Sequence, residues 1–256
     1  MENNRHVQIS QEGDALRVTL NRPPVNFIST EMLQQIGSEL ESMGESPACK
    51  ALILDSALPA FSAGLDLSQL TPDTVFLLLE ELHGVARSLN SFPRPTIGLV
   101  RGMALGAGNE LLACCDFVFA SEKASFGHPE VKVGGIPSLA PLLLPPLIGD
   151  RRAREMILTG NFIGAKEAES TGLITRALPE ARIPEAVAEL LKTLGSLSLP
   201  VLAIALRSVR TIRLHEMDGR LREIEALYLN QLMNLEDPME GVRAFLEKRQ
   251  PVWRNK

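Results

Sequence analysis

The 256-residue chain is 45% hydrophobic and 22% charged, as globular proteins usually are, and its net charge of −5 gives no electrostatic reason to expect nucleic acid or an anionic membrane as a partner. Its 3 cysteines include the adjacent Cys114 and Cys115, which argues against a disulfide framework and favours a reducing, cytoplasmic setting. No stretch approaches the roughly 18 uninterrupted apolar residues of a membrane-spanning helix, and the first residues lack the apolar core of a signal peptide.

Strand and helix patterns alternate in the first half of the chain, which predicts an α/β layer fold. Apolar runs bounded by Gly, Pro or polar residues predict the strands, and helical spacing with capping residues predicts the helices. The predicted strands are 7–10, 15–20, 51–54, 96–100 and 117–120, and the predicted helices are 29–43, 71–90 and 107–115.

Helical spacing dominates beyond about Pro137, where only 173–178 has an extended pattern. The predicted helices of this half are 151–158, 165–170, 184–194, 200–214, 217–235 and 238–247. We therefore predict an α/β core with the functional site over residues 1–197 and a helical C-terminal region over residues 198–256.

The stretch from Gly102 to Glu130 holds the turns and side chains best suited to chemistry. Gly106 and Gly108 permit a tight turn from a buried strand into a short helix, whose first backbone N–H groups have no partners within the helix. Those groups lie at the positive end of the helix dipole and can stabilise developing negative charge. Glu110 lies one turn inside this helix in apolar surroundings, and Glu130 follows the next predicted strand.

Two hypotheses follow, each with a simpler alternative. Glu110 and Glu130 could act as acid and base around one small molecule, although most glutamates are solvated surface charges. The turns 62–65 and 106–108 could direct N–H groups at one oxygen, each worth roughly 3–4 kcal/mol, or could be merely tight turns. A phosphate loop, a dinucleotide-binding glycine pattern and the spacing of metal ligands are all missing from the sequence.

Several motifs are spread, in order, along nearly the whole chain. They are Leu20-Asn21-Arg22-Pro23, Phe61-Ser62-Ala63-Gly64-Leu65-Asp66-Leu67, Ala104-Leu105-Gly106-Ala107-Gly108-Asn109-Glu110, Asp116, Phe126-Gly127-His128-Pro129-Glu130, Leu158-Thr159-Gly160, Ala165-Lys166-Glu167-Ala168, Gly172-Leu173-Ile174 and Phe245-Leu246-Glu247-Lys248-Arg249. Each motif alone is weak, but the set is specific. Together they resemble the crotonase family of enoyl-CoA hydratases and isomerases.

The resemblance implies a crotonase-like spiral of β-β-α turns, with a helical C-terminal region that completes the site and forms a homotrimer or a dimer of trimers. It also implies an acyl-CoA thioester as substrate, with coenzyme A as part of the substrate and no separate cofactor or metal. The thioester oxygen would accept hydrogen bonds from the backbone N–H groups of Leu65 and Ala107, and Glu110 and Glu130 would act as acid and base. Because both acids are present, the resemblance favours addition of water to a double bond conjugated to the thioester, through an enolate.

Further contacts with the acyl-CoA are predicted around these positions. Simpler interpretations stay open for Arg22 and Lys248 as solvated cations, for Asp66 as the residue that fixes the Leu65 turn, and for His128 as a structural histidine or one that tunes Glu130. The predicted substrate-binding or CoA-binding residues are Arg22, Ala63, Gly64, Asp66, Leu67, Gly106, Pro129, Ile136, Leu139 and Lys248.

The chain departs from the family pattern at residues 138–146, which replace a Gly-rich stretch of the hydratases for linear acyl chains. This segment should wall the acyl pocket, and with 225–229 it resembles cyclohexa-1,5-diene-1-carbonyl-CoA hydratases, so a cyclic dienoyl-CoA is one substrate hypothesis. The alternatives are an enoyl-CoA double-bond isomerase, which needs one base, another enolate-using enzyme such as a decarboxylase or hydrolase, and a non-catalytic crotonase-like protein that binds RNA or serves in assembly.

Overall fold

A six-stranded sheet forms the first layer of the structure, a computed structural model that describes residues 5–44 and 50–256, so that Cys49 lies outside the described residues. Its strands are β1 (Val7–Glu12), β2 (Ala15–Leu20), β3 (Ala51–Ser56), β4 (Thr96–Val100), β6 (Phe117–Ser121) and β9 (Arg176–Leu178), which lie side by side in this order. β1 and β2 form the predicted antiparallel hairpin, and all later neighbours are parallel. Every residue of β3 and β4 is buried, as expected of central parallel strands covered on both faces.

A second, smaller layer is made from very short strands. β5 (Met103–Leu105) pairs in parallel with β7 (Ser125–Gly127), and β7 pairs antiparallel with β8 (Phe162–Gly164). Two isolated parallel bridges, Ser62 with Ala104 and Ile28 with Leu65, extend this layer by one residue pair each.

Each turn of the chain crosses both layers and then forms a helix. β2 leads to the bridge at Ile28 and to α1 (Thr30–Gly44), and β3 leads to the bridged segment 62–65 and to α2 (Val75–Ser91). β4 leads to β5 and α3 (Ala107–Ala113), and β6 leads to β7 and a 3-10 helix (Pro129–Val133). The predicted spiral of β-β-α turns is thereby confirmed.

Helices make up most of the second half, as predicted. They are α4 (Ala140–Ile148), α5 (Asp150–Thr159), α6 (Ala165–Thr171), α7 (Ile183–Gly195), α8 (Leu199–Asn230) and α9 (Asp237–Leu246). α7 packs through Ile183 and Val187 on the outer face of the large sheet, while the main core lies on the other face beneath α1 to α4. α8 begins at Leu199, and the division of the chain into units 1–197 and 198–256 stays a prediction.

The structure differs from the predicted helices in three places. The helix predicted from residue 71 begins at Val75, because Thr71 to Thr74 form a turn in which Val75 N–H bonds to the Thr71 carbonyl at 2.9 Å. The helices predicted at 200–214 and 217–235 are one 32-residue helix that ends at Asn230. α4 was missed, because Pro145 and Pro146 lie inside it and prolines normally argue against a helix interior.

A buried ion pair joins α8 to the main sheet. The guanidinium of Arg210, which is 5% exposed, donates to Asp116 Oδ1 at 2.9 Å and to the carbonyls of Asn90 and Phe92 at 3.2 and 2.6 Å. Asp116 in turn accepts from the N–H and hydroxyl of Thr96 at the start of β4, at 2.7 and 2.9 Å. Asp116 is therefore an anchor for the start of β4 and for α8.

Replacement of Arg210 by Met is expected to lower the free energy of unfolding by about 3–5 kcal/mol, because it leaves the Asp116 carboxylate mostly buried without its cation. Urea denaturation at one fixed protein concentration measures this loss. The double variant Arg210→Met with Asp116→Asn should lose less than the sum of the two single variants, since neither charge is then left alone. A loss below about 1 kcal/mol in the single variant would contradict this role.

Candidate active site

The second layer brings the predicted site residues to one edge. Its segments 62–65, β5 and β7 are neighbours that run in parallel, so the residues following them emerge on the same side. Leu65 ends the first segment, Ala107 follows β5 by two residues, and Glu130 follows β7 by three. Parallel strands place their carboxyl ends together, which is where ligands bind in layered α/β folds. Leu65, Ala107 and Glu130, which are far apart in the sequence, are thus brought to the same edge of the second layer.

The Leu65 backbone N–H is left without a partner by the pairing around it. Gly64 donates to the hydroxyl of Ser62 at 3.1 Å, while its carbonyl accepts from Ile28 N–H at 2.8 Å, and Asp66 N–H donates to the Ile28 carbonyl at 2.8 Å. In a parallel bridge of this kind the central residue directs its own N–H to the opposite side. Leu65 N–H therefore points away from Ile28, and it bonds to no described residue.

The Ala107 backbone N–H is free for a different reason. Ala107 is the first residue of α3, so it has no acceptor four residues earlier in the helix. The preceding Gly106 donates to the carbonyl of Gly127 at 2.9 Å, and Glu110 N–H returns to the carbonyl of Gly106 at 3.0 Å, which leaves Ala107 N–H unbonded among the described residues.

The two turns touch each other. A methyl group on Gly64 would lie 3.5 Å from the carbonyl oxygen of Leu105 and 3.8 Å from Gly106 Cα. A methyl group on Gly106 would come within 2.8 Å of Glu130 Oε1, and the φ of +51° at Gly106 favours glycine in any case. The two unbonded N–H groups and the second acid therefore belong to one site.

Glu110 is held at this site by α4. Its Oε1 accepts the backbone N–H groups of Leu139 and Ala140, each at 2.7 Å, and the residue is 2% exposed. Burial and the negative charge of Glu130 raise the pKa of Glu110 from 4.5 to about 7, although His128 and the two N–H groups act in the opposite direction. The pair can therefore hold a proton near neutral pH, as an acid–base pair requires.

Glu130 has one oxygen near a buried imidazole and one without a partner. Oε1 lies 3.6 Å from Nδ1 of His128, which is longer than a hydrogen bond, and Oε2 is buried without a hydrogen-bond partner among the described residues. The other imidazole nitrogen, Nε2, lies 2.9 Å from Asn109 Nδ2. Burial alone would lower the pKa of His128, but the carboxylates of Glu130 and Glu110 outweigh it and the net direction is upward. His128 is wholly buried and does not line the cavity described next.

A cavity of about 240 Å³ opens between the acids and the glycine turns. This is less than the roughly 300–1,000 Å³ of pockets that hold drug-sized ligands, so the cavity suits an acyl group and not a whole acyl-CoA. Its walls are mostly apolar and include Phe27 and Phe245, which meet edge to face at 6.2 Å between ring centroids. Phe245 belongs to α9, and α9 fits tightly on the 3-10 helix of Glu130, since a methyl group on Gly241 would lie 2.0 Å from the Val133 carbonyl oxygen.

The structure brings most of the predicted residues together. Those that line the cavity are Ala63, Gly64, Leu65, Leu67, Gly106, Glu110, Pro129, Glu130 and Ile136. Ala107 does not line it, but it directly follows Gly106, which does. Arg22 and Asp66 do not line it: they pair with each other at 2.6 Å, and Asp66 caps a 3-10 helix by accepting from Ser68 N–H. Lys248 does not line it either and is exposed on the turn after α9.

Leu139 does not form the wall that was expected of it. Its side chain is 0% exposed and packs in the core, while Leu139, the residue before the first residue of α4, donates its backbone N–H to Glu110. The neighbouring Ser138 lines the cavity, and the run Leu142 to Leu144 is buried in the core as well.

The sequence did not assign several of the lining residues to the site. Phe27, Lys132, Tyr228 and Phe245 all line the cavity, and the last two lie on α8 and α9. Two signals could have drawn attention to Tyr228: it is the only tyrosine of the chain, and it lies in the segment 225–229 on which the resemblance to the cyclic dienoyl-CoA hydratases rests.

Comparison with known proteins defines the class. The family model for enoyl-CoA hydratase/isomerase matches residues 11–256, and the chain belongs to this family. It is 34% identical over 250 residues to the cyclohexa-1,5-dienecarbonyl-CoA hydratase of Thauera aromatica, covering 98% of this chain and 96% of that protein. It is 32% identical to a probable enoyl-CoA hydratase of Bacillus subtilis, and the match covers 93% of this chain and 94% of that protein.

Solved structures agree with the fold. An enoyl-CoA hydratase from Mycobacterium avium subsp. paratuberculosis superimposes with a TM-score of 0.88 at 25% identity, covering 98% of this chain and 99% of that one. An enoyl-CoA hydratase/isomerase from Pseudoalteromonas atlantica superimposes with a TM-score of 0.85 at 27% identity, covering 97% of this chain and 100% of that one. The chain is thus an enzyme of the crotonase family, with an acyl-CoA thioester as the class of substrate.

The described residues contain neither a cluster of metal ligands nor a single helix suited to crossing a membrane. No three His, Cys, Asp or Glu side chains among them come together as metal ligands would. No single helix in that part of the chain is long and apolar enough to cross a membrane, although 180–195 and 199–211, bent by 110°, would meet the requirements of length and composition together.

Proposed function

We propose that this enzyme adds water to, or removes it from, an enoyl-CoA or dienoyl-CoA thioester, with no cofactor other than the coenzyme A of the substrate. The observation that carries the proposal is the arrangement of two unbonded backbone N–H groups, of Leu65 and Ala107, on two turns that touch each other. Leu65, Gly106 and the carboxyl groups of Glu110 and Glu130 line one cavity beside these turns. An isomerase would need only one base, so the presence of both acids favours hydration.

The proposed reaction proceeds through an enolate. The thioester oxygen binds the N–H groups of Leu65 and Ala107, which withdraws electrons from the conjugated double bond. One carboxylate takes a proton from water as the water oxygen bonds to the β-carbon, and the π electrons move onto the thioester oxygen as an enolate. The other carboxyl group then gives its proton to the α-carbon as the carbonyl re-forms. The net change is one water molecule added across the double bond.

The buried pair supports this division of labour. Burial and the negative charge of Glu130 disfavour ionisation of Glu110, and its raised pKa, about 7, keeps a proton available on Glu110 near neutral pH. A pair that holds a single proton has both the acid and the base that the hydration needs.

A cyclic dienoyl-CoA is the substrate that we favour. Support comes from the similarity to the Thauera hydratase over nearly the whole chain and from the apolar cavity closed by the two phenylalanine rings. Binding of coenzyme A by Arg22, Asp66 and Lys248 stays a prediction, as does the cytoplasmic location.

A screen of CoA esters tests the proposal. Wild-type enzyme and Glu130→Gln are assayed with cyclic 1,5-dienoyl, linear 2-enoyl and linear 3-enoyl CoA esters. Mass spectrometry follows the gain of about 18 Da that one added water molecule gives the ester. The wild type should hydrate the cyclic ester fastest, and Glu130→Gln should lose about 100-fold or more in turnover while still binding the ester. Migration of the 3-enoyl double bond without any water addition would overturn the hydratase in favour of the isomerase.

We also propose a homotrimer or a dimer of trimers. Support comes from the first part of α8, where Val201, Ile204 and Val209 are 65%, 67% and 75% exposed. Large apolar side chains so exposed on one helix mark an association surface. Light scattering that gives the mass of a monomer at micromolar concentration would contradict this.

A further inference from the structure

Tyr228 is a buried phenol with an unused hydroxyl. It lies on α8, is 3% exposed and lines the same cavity as Glu110 and Glu130. Its hydroxyl makes no hydrogen bond with any described residue, although a buried tyrosine normally finds a partner for its O–H. A protein that kept this residue only to fill space would be as well served by phenylalanine.

Other polar atoms at the cavity are also without partners. Ser138 Oγ and Glu130 Oε2 are buried and unbonded within the described residues, whereas most other lining residues are apolar. A water molecule in such a cavity needs about two to four polar partners. Tyr228, Ser138 and the two carboxyl groups can provide them around one oxygen. Lys132, which also lines the cavity, donates to Asn161 Oδ1 at 3.4 Å instead.

The phenol is fixed as a hydrogen-bond donor. Burial, together with the charges of Glu130 and Glu110, raises the pKa of Tyr228 well above its ordinary value. The hydroxyl therefore stays protonated over the pH range in which Glu110 titrates. Of the two oxygens that the substrate brings to the reaction centre in the proposed reaction, the thioester oxygen is already held by two backbone N–H groups. The oxygen added at the β-carbon is therefore the substrate acceptor left for the phenol.

We propose that Tyr228 is a third catalytic residue, whose hydroxyl donates a hydrogen bond to the water oxygen that is added at the β-carbon, and to the same oxygen in the hydrated product. This inference rests on the proposed hydratase function. It assigns to α8 the part of the site that distinguishes water addition from simple enolate formation, for which the two N–H groups and one carboxylate suffice.

Tyr228→Phe tests the inference because it removes only the hydroxyl. Calorimetric titrations, run to equilibrium, compare 3-hydroxybutyryl-CoA with butyryl-CoA, which lacks the hydroxyl. The wild type should bind the hydroxy ester about fivefold or more tightly, as one hydrogen bond allows, and the variant should bind both equally within about twofold. Binding of butyryl-CoA is the internal control and should not change.

Turnover gives a second, independent readout. Tyr228→Phe should lower hydration about 10-fold to 100-fold, whereas exchange of the α-protons of butyryl-CoA in D₂O should stay within about twofold, since enolate formation does not use the phenol. An unchanged preference for the hydroxy ester, no preference in the wild type, or an equal fall of hydration and exchange would overturn the inference. If the wild type hydrates no ester at all, the proposed function fails, and the binding preference still decides the role of Tyr228.

Discussion

Glu110→Gln is expected to make the protein more stable at pH 8 while it removes activity. Folding raises the pKa of Glu110 from 4.5 to about 7, so between these values the folded state binds more protons than the unfolded chain. Stability therefore falls as the pH rises through this window, by an amount on the order of 2–3 kcal/mol. Glutamine cannot ionise, and its amide oxygen can still accept the N–H groups of Leu139 and Ala140.

Urea denaturation at pH 4.5 and pH 8 measures this difference. The two proteins should be equally stable at pH 4.5, and Glu110→Gln should be the more stable at pH 8. Turnover of the best CoA ester should fall about 100-fold or more, because the pair has lost one of its two ionisable members. The exposed Glu189 on α7 offers a matched control, since Glu189→Gln should change neither property. A variant that is less stable than the wild type at pH 8, or fully active, would contradict the account of Glu110.

Ala107→Pro is expected to lower turnover about 100-fold to 1,000-fold without unfolding the protein. Proline removes the backbone N–H that we assign to the thioester oxygen, and one such donor is worth this much in related oxyanion sites. The backbone permits the change, because Ala107 is the first residue of α3, where proline is well tolerated, and its N–H bonds to no described residue. The preceding residue is Gly106, which escapes the usual restriction before proline.

Ala107→Gly is the matched control, because it keeps the N–H and removes only a methyl group. It should stay within about tenfold of the wild type, and both variants should unfold within about 1 kcal/mol of it. Activity of Ala107→Pro equal to that of Ala107→Gly would show that this N–H does not act on the substrate.

The sequence was sufficient where the signal is local. β2, β4, α3 and α6 lie within two residues of their predicted bounds, since apolar runs, glycine turns and helix spacing carry most of the information about such elements. The same local patterns led to Glu110, Glu130 and the two turns. The three-residue strands β5, β7 and β8 could not be predicted by pattern, because three residues are too few to show an alternation.

The parts of the site that were missed depend on packing between distant segments. Tyr228 and Phe245 reach the cavity only because α8 and α9 fold back over it, and no spacing in the sequence encodes that approach. Leu139 was misplaced because its helix, α4, was itself obscured by two prolines. Ser138 lines the cavity, whereas the next residue, Leu139, has its side chain in the core.

The central claim is that two backbone N–H groups meet at the thioester oxygen beside a pair of acids. Infrared difference spectra of butyryl-CoA with a ¹³C-labelled carbonyl test it directly, since hydrogen bonds to a carbonyl lower its stretching frequency. We expect the stretching frequency of the labelled carbonyl to fall clearly when the ester binds to the wild type. The frequency should fall less in Ala107→Pro, and as much as in the wild type in Ala107→Gly. A carbonyl that absorbs at the same frequency in the wild type as in water-free solvent would contradict the claim.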